Sequence, residues 1–422
     1  MSEQNDWVPN RLRFVASIRN SNVDKKSYDG QEPVLLCNYT DVYYNEKITS
    51  REGLMEATAS QSEIEKFSLK AGDVIITKDS ETADDIGIPA WVPQDLPGVV
   101  CGYHLTQLRS NEAVTPEFLF RTMQATSTRQ YLEVETPGVT RFGLDQDTIG
   151  SIPVLVPPKE VQVAIASHLD RATARIDALV AKKTRFIELL REKRQALIAH
   201  AVTKGLDAGV PMKDSGVEWL GHVPAHWDVV QSRRLFSERN QKARPDDQQL
   251  TASQKYGLLP QAEFMEREGR RIVVVQKGHD ILKRTLRGDF VISMRSFQGG
   301  LELSEHEGSV SSAYVPITPT KWVVPAFFRW AFKSITYIQA LQATSDLVRD
   351  GQALRFENFT KVPLPHVPED EQKAIADFLD HATARIDTLI AKTERSIDLL
   401  REYRTALITA AVTGKLDLRE AA

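Results

Sequence analysis

The chain has 422 residues, is 41% hydrophobic and 26% charged, and carries a formal net charge of -4. That size predicts two to four domains, and the ordinary apolar content excludes wholesale disorder and collagen-like or mucin-like chains. The start is polar and acidic and no stretch approaches 18 uninterrupted apolar residues, so a soluble cytoplasmic protein is expected; two cysteines make no disulfide framework, and mild acidity alone argues against nucleic acid.

Residues 1–151 form a first globular part with a mixed, strand-rich pattern. Strands are predicted at 34–37, 73–77 and 99–103 and a helix at 116–124, with a further strand at 152–156 leading onward. Residues 152–207 then carry a long helix. Pro157 and Pro158 precede it, neither Pro nor Gly interrupts Lys159 to Lys204, and Leu169, Ala172, Ile176, Leu179, Phe186, Leu190 and Leu197 step by threes, fours and sevens. Residues 208–361 form a second mixed globular part, with strands predicted at 271–275, 289–294 and 313–317 and a helix at 325–344. Residues 362–422 hold a second long helix after Pro368, where Leu379, Ala382, Ile386, Leu389, Leu400 and Leu407 repeat the apolar stripe.

The two helices are copies of each other. A shift of 210 residues aligns residues 162–207 with 372–417 without a gap, and 30 of those 46 positions are identical. A fainter echo links the globular parts. Trp7, Arg13, Ser17, Arg19 and Asn20 match Trp227, Arg233, Ser237, Arg239 and Asn240 at an offset of 220, and Gly72-Asp73 resembles Gly288-Asp289 at 216. A 3.5-residue period over four heptads predicts a coiled coil, with Leu169, Ile176, Leu179, Leu190 and Leu197 facing Leu379, Ile386, Leu389, Leu400 and Leu407, and Lys183 and Thr393 breaking the seam. Because domain termini tend to lie together, the second helix should run back antiparallel to the first. The expected fold class is α+β: two mixed α/β domains separated by two long helices in an antiparallel coiled coil, a pseudo-two-fold tandem repeat.

Charge is unevenly distributed. Residues 1–151 carry a net -9 and residues 208–361 a net +4, while 152–207 carry +4 and 362–422 carry -3. The second globular part is thus suited to face phosphates unaided and the first is not. No phosphate loop, GxGxxG after a strand, GxSxG elbow, HExxH or amino-methylating Asn-Pro-Pro-aromatic motif occurs, so no catalytic or metal residue is nominated.

Candidate contacts are therefore those of a binder. Arg295, Ser296, Gln298 and Gly299 follow a predicted strand; Arg and Gln side chains read guanine and adenine edges, although a polar surface turn with Phe297 beneath it fits as well. Lys78 and Ser80 occupy the corresponding place in the first part, in an acidic loop able to accept from cytosine amino groups or simply to be solvated. Tyr43 and Tyr44 are able to stack or to pack, and Arg141 and Lys255 complete the candidate set.

These residues resemble a known family, the specificity subunit of type I restriction-modification systems. The likeness rests on the two head-plus-helix units, Pro368, Glu371 and Gln372 running into a long helix, the connector 214–221 leading to Trp227, and the 294–300 and 39–44 segments; Val161 stands where the pattern has Glu. The resemblance implies target-recognition domains at 1–151 and 208–361, each reading half of a bipartite asymmetric DNA target in the major groove. It implies spacer helices at 152–207 and 362–422 that dock two methyltransferase subunits, and further translocase/nuclease subunits. S-adenosylmethionine, ATP and Mg would belong to those partners, with no cofactor in this non-catalytic chain. A coiled-coil scaffold with two protein-interaction heads and no DNA readout is the alternative.

Overall fold

A computed structural model describes residues 7–138, 140–253, 256–269, 281–293, 300–344 and 354–416. They divide into two compact units, one of Met1–Thr184 with Glu394–Ala422 and the other of Arg185–Thr393. Each unit therefore combines a head, one end of the long helix that follows that head or precedes it, and one end of the other long helix.

In the first unit the central strands are β1 (Ala16–Asn20), β2 (Glu32–Cys37), β3 (Met55–Ala59), β4 (Val74–Thr77), β5 (Asp79–Ser80), β6 (Pro89–Trp91), β7 (Val99–Cys101), β8 (Leu105–Ser110) and β9 (Phe142–Gly143). Four of them make an antiparallel sheet in the order β1-β8-β4-β6, and a second sheet has the order β3-β2-β7. The second sheet buries Cys37 and Cys101 side by side as free thiols, and burial pushes both thiols up in pKa, so they are unreactive packing groups. Three helices matter here: α1 (Tyr39–Tyr43), α2 (Pro116–Gln124) and α3 (Thr126–Glu135). The first long helix, α4, spans Lys159–Lys204.

The second head repeats the larger sheet. Strands β10 (Phe236–Glu238), β11 (Phe290–Ser293), β12 (Glu302–Leu303) and β13 (Tyr314–Pro319) pair antiparallel in the order β10-β13-β11-β12, which matches β1-β8-β4-β6 position for position. The turn into β4 and the turn into β11 are alike as well. Asp73 N donates to Lys70 O and Asp289 N to Leu286 O, both at 3.0 Å, with Gly72 and Gly288 each at φ +90. A type II turn requires positive φ at its third position, which is why glycine stands there in both copies. Each following aspartate is held by an arginine, Asp73 by Arg109 of β8 and Asp289 by Arg239, the residue just past the end of β10.

The sequence predicts a single helix over 325–344. Instead α5 (Pro325–Ala331) and α6 (Ile335–Gln342) are separate, because buried Ser334 caps the second, accepting from Tyr337 N and donating to Ala331 O. The strand predicted at 271–275 lies outside the described residues. The second long helix, α7, spans Glu369–Val412.

Each head is pinned to its helix by a buried glutamine of the repeat. Gln162 accepts from Thr115 N at 2.7 Å and donates to Ala113 O and Pro157 O; Gln372 accepts from Val324 N at 2.8 Å and donates to Trp322 O and Val367 O. Both amides are thereby satisfied in the core, where unpaired polar groups are costly. At the far end, Gly205 after α4 lies against Trp227, and Gly414 after α7 against Trp7, each at positive φ as helix-terminating glycines are.

Within each unit the helix ends run antiparallel. In the first, Ile165, Leu169 and Ile176 share a core with Leu407, Ile408, Ala411 and Val412; in the second, Ile198, Ala201 and Val202 share one with Ile375, Ala376 and Leu379. The heptad expectation needs correction. Ile165, Ile176, Ile187 and Ile198 are all buried, as are Ile375, Ile386, Ile397 and Ile408, so the innermost line recurs every eleventh residue. Eleven residues over three turns is about 3.67 per turn, close to an unstrained helix, whereas a strict heptad drifts about 20° per repeat. Leu179 and Leu389, placed in the seam by the heptad, are accordingly 47% and 46% exposed. Leu169, Ile176, Leu190, Leu379, Ile386 and Leu407 are buried, while Leu197 and Leu400 are half-buried beside Ile198 and the first-unit core.

Candidate nucleic-acid interface

A concave surface of the first unit lies where α1, the β5–β9 ribbon and the loop after β7 converge. It encloses about 470 Å³ and is lined by Tyr39, Thr40, Tyr43, Tyr44, residues 79–82, Asp85, His104 and Arg141. Local chemistry builds each wall. Helix α1 begins at Asn38, whose backbone N–H is taken by Asp41 Oδ2 at 2.7 Å in a capping box. One helical turn then sets Tyr39 and Tyr43 on the same face, where their rings stack at 5.5 Å and 18°. Tyr44 meets Tyr43 edge-on at 5.0 Å and remains 76% exposed.

The opposite wall is a two-residue ribbon, in which Phe142 pairs with Ser80 and Gly143 with Asp79. Asp85 ties the walls together, since the Tyr43 hydroxyl reaches its Oδ2 at 2.9 Å and its Oδ1 at 3.1 Å. This hydrogen bond to Asp85, with the carboxylate's charge, raises the Tyr43 pKa; burial, then Asp85, raises that of Tyr39. Both phenols therefore stay neutral donors at ordinary pH. His104 Nδ1 lies 2.8 Å from Asp79 Oδ2. The lining offers carboxylate acceptors, hydroxyls, aromatic faces and, in Arg141, an exposed guanidinium.

Of the nominated contact residues, Tyr43, Tyr44, Ser80 and Arg141 are brought together in this cleft. Lys78 does not line it. Its ammonium donates to Ser21 O at 3.2 Å and sits 4.6 Å from the Tyr103 ring centroid. Lys255, Arg295, Ser296, Gln298 and Gly299 lie outside the described residues. Sequence reasoning nominated neither Tyr39, Asp85 nor His104. The Tyr39–Tyr43 spacing of four was the available signal for a shared helix face; nothing local announces Asp85 or His104, which arrive through long-range pairing.

A head built on a four-stranded antiparallel sheet and joined to the long helices recurs in both units, and the first head carries a polar, aromatic cleft. Residues 4–189 match the family model described as the type I restriction modification DNA specificity domain. A stretch of 81 residues is 38% identical to the type I restriction enzyme EcoBI specificity subunit of Escherichia coli; the alignment spans 19% of this chain and 17% of that relative.

Two solved structures share the fold over nearly the whole length. A chain from a study of complex assembly and conformational transition of the type I R-M system superposes with a TM-score of 0.74 at 16% identity, covering 97% of this chain and 98% of the other. The HsdS subunit from Thermoanaerobacter tengcongensis gives 0.56 at 17% identity, covering 98% of each. The likeness to type I specificity subunits and the expected fold class both stand on these findings.

Proposed function

We propose that this chain is the DNA-reading, non-catalytic subunit of a type I restriction-modification complex, with each head taking one half of a bipartite, asymmetric target in the major groove. The observation that carries this reading is the cleft. It gathers Tyr43, Tyr44, Ser80 and Arg141 inside the stretch matched by the DNA specificity domain family. The two heads share a sheet order yet differ in net charge, which suits the reading of two unlike half-sites.

The cleft's chemistry favours particular base edges. Carboxylates at Asp79, Glu81 and Asp85 accept hydrogen bonds and repel phosphates, which suits the exocyclic amino groups that cytosine and adenine expose in the major groove. Arg141 would supply the donor for a guanine edge or a phosphate. A head of net -9 draws little affinity from the DNA backbone, so salt-dependent affinity falls to the basic second head and to partner subunits closing round the duplex.

Partner docking fits the long helices. The exposed leucines come in pairs related by the 210-residue repeat: Leu179 with Leu389, and Leu189 with Leu399 at 46% and 49% exposure. Two copies of one apolar surface suit two copies of one partner, the methyltransferase subunit. Translocase/nuclease subunits would complete a restriction complex, and S-adenosylmethionine, ATP and Mg would be bound by those partners.

Footprinting the chain together with a methyltransferase subunit tests this reading. Two protected half-sites separated by an unprotected gap are expected, and Glu81→Gln should change letters in one half-site only. Uniform protection, or none, would support the scaffold alternative.

A further inference from the structure

The first head is fastened to α7 by an ion link that ends beside the recognition cleft. Arg404 of α7 donates from Nε to Asp177 Oδ1 at 3.0 Å and from one terminal nitrogen to Asp177 Oδ2 at 3.3 Å and to Glu46 Oε1 at 2.5 Å. Its side chain is only 16% exposed, which limits screening of these contacts. Glu46 follows the cleft wall of α1 by three residues. It is also gripped by Gln124 Nε2 at 2.9 Å, and its carbonyl accepts from Trp91 N at 2.9 Å, next to the four-stranded sheet. One guanidinium thus connects both long helices to the root of the Tyr39–Tyr43–Tyr44 wall.

The repeat supplies an internal comparison. Arg194 stands 210 residues before Arg404 and makes the same bidentate contact, with Asp387. Its guanidinium lies over the ring of Trp330 at 5.6 Å, whereas the first head has Arg121 at the position aligned with Trp330 from Pro116 and Pro325 and meets Arg404 with the Glu46 carboxylate instead. The helix-to-helix half of the link is duplicated, and the head-directed half differs in chemistry between units.

The geometry points to Arg404 as a positioning residue: through Glu46 it fixes the aromatic wall of the first cleft against the helix pair, and so sets the register in which the first half-site is read. This rests on the DNA-reading function proposed above. Arg404 touches no DNA in this account and acts only through α1.

The test is to sequence methylated sites in a host expressing the full chain with its methyltransferase subunit. Glu46→Gln weakens the head-directed arm and leaves the Arg404–Asp177 pair intact. It should lower methylation of the native site by about tenfold, as loss of one charge-assisted bond predicts, and should admit targets whose gap differs by a base pair. Arg404→Ala should do the same more strongly, while Arg194→Ala should leave reading of the first half-site unaltered. A Glu46→Gln protein that assembles and methylates only the native gap at the native rate would overturn the proposal, as would equal relaxation by Arg194→Ala. Absence of any bipartite motif with the wild-type chain would instead refute the underlying DNA-reading function.

Discussion

Arg194 and Asp387 clasp each other across the helix pair of the second unit, Nε to Oδ1 at 3.0 Å and a terminal nitrogen to Oδ2 at 3.4 Å. Arg404 and Asp177 repeat the clasp in the first unit. Because both residues recur at an offset of 210, one sequence repeat fixes antiparallel register twice over. The aspartates are about half exposed, so each clasp should contribute ~0.5–1 kcal/mol and act mainly on register. A double-mutant cycle of Arg194→Ala and Asp387→Asn in urea should show coupling in that range, weakened at about 1 M salt.

The glutamines at the head-helix junctions should matter more. Gln162→Ala removes one acceptor and one doubly donating amide from a closed core and leaves Thr115 N, Ala113 O and Pro157 O without their partner. A loss of at least ~2 kcal/mol is expected. Hydrogen exchange should localise it, with the Thr115 amide losing protection in Gln162→Ala and the Val324 amide in Gln372→Ala.

Tyr43 gives the cleft a pH signature. Its phenol is raised above the ordinary value of 10 by the hydrogen bond to Asp85. A phenol raised on folding contributes stability that is fully present below pH 10 and is lost as pH climbs through the raised value. Tyrosinate absorbance, taken as wild type minus Tyr43→Phe, should therefore titrate above 10, and Asp85→Asn should bring it down. A Tyr43 titration unmoved by Asp85→Asn would show that the two residues do not meet in solution.

Exposed and buried leucines of the long helices should separate docking from folding. Leu169→Ala or Leu379→Ala, at fully buried positions, should cost about 2–5 kcal/mol. Leu179→Glu and Leu389→Glu should stay within about 0.5 kcal/mol of wild type while reducing co-purification of the methyltransferase subunit. Retained co-purification would move the docking surface elsewhere.

Much of the architecture was written locally in the chain. The absence of Pro and Gly over 45-residue stretches announces α4 and α7, and apolar runs such as Val-Ile-Ile after Gly72-Asp73 announce the sheet strands. Three features were not legible. The buried line recurs every eleven residues, yet conservative apolar residues at neighbouring positions, Leu197 beside Ile198 and Phe186 beside Ile187, imitate a heptad. The β5–β9 ribbon has two residues per strand and exists only through pairing between Ser80 and Phe142. Glu46 and Arg404 are 358 residues apart, and neither carries a local sign of the other. The site was half legible for the same reason: tyrosines and a lone arginine suggest contact, whereas Asp85 and His104 join them only through the fold.

The central claim is that one chain reads two unlike half-sites. Methylome sequencing of a host carrying this chain with the methyltransferase subunit proposed as its partner tests it most directly. The account predicts methylation in a single motif made of two different half-sites separated by a fixed unread gap, with Glu81→Gln altering letters on one side only. A continuous or palindromic motif, or methylation independent of this chain, would contradict it.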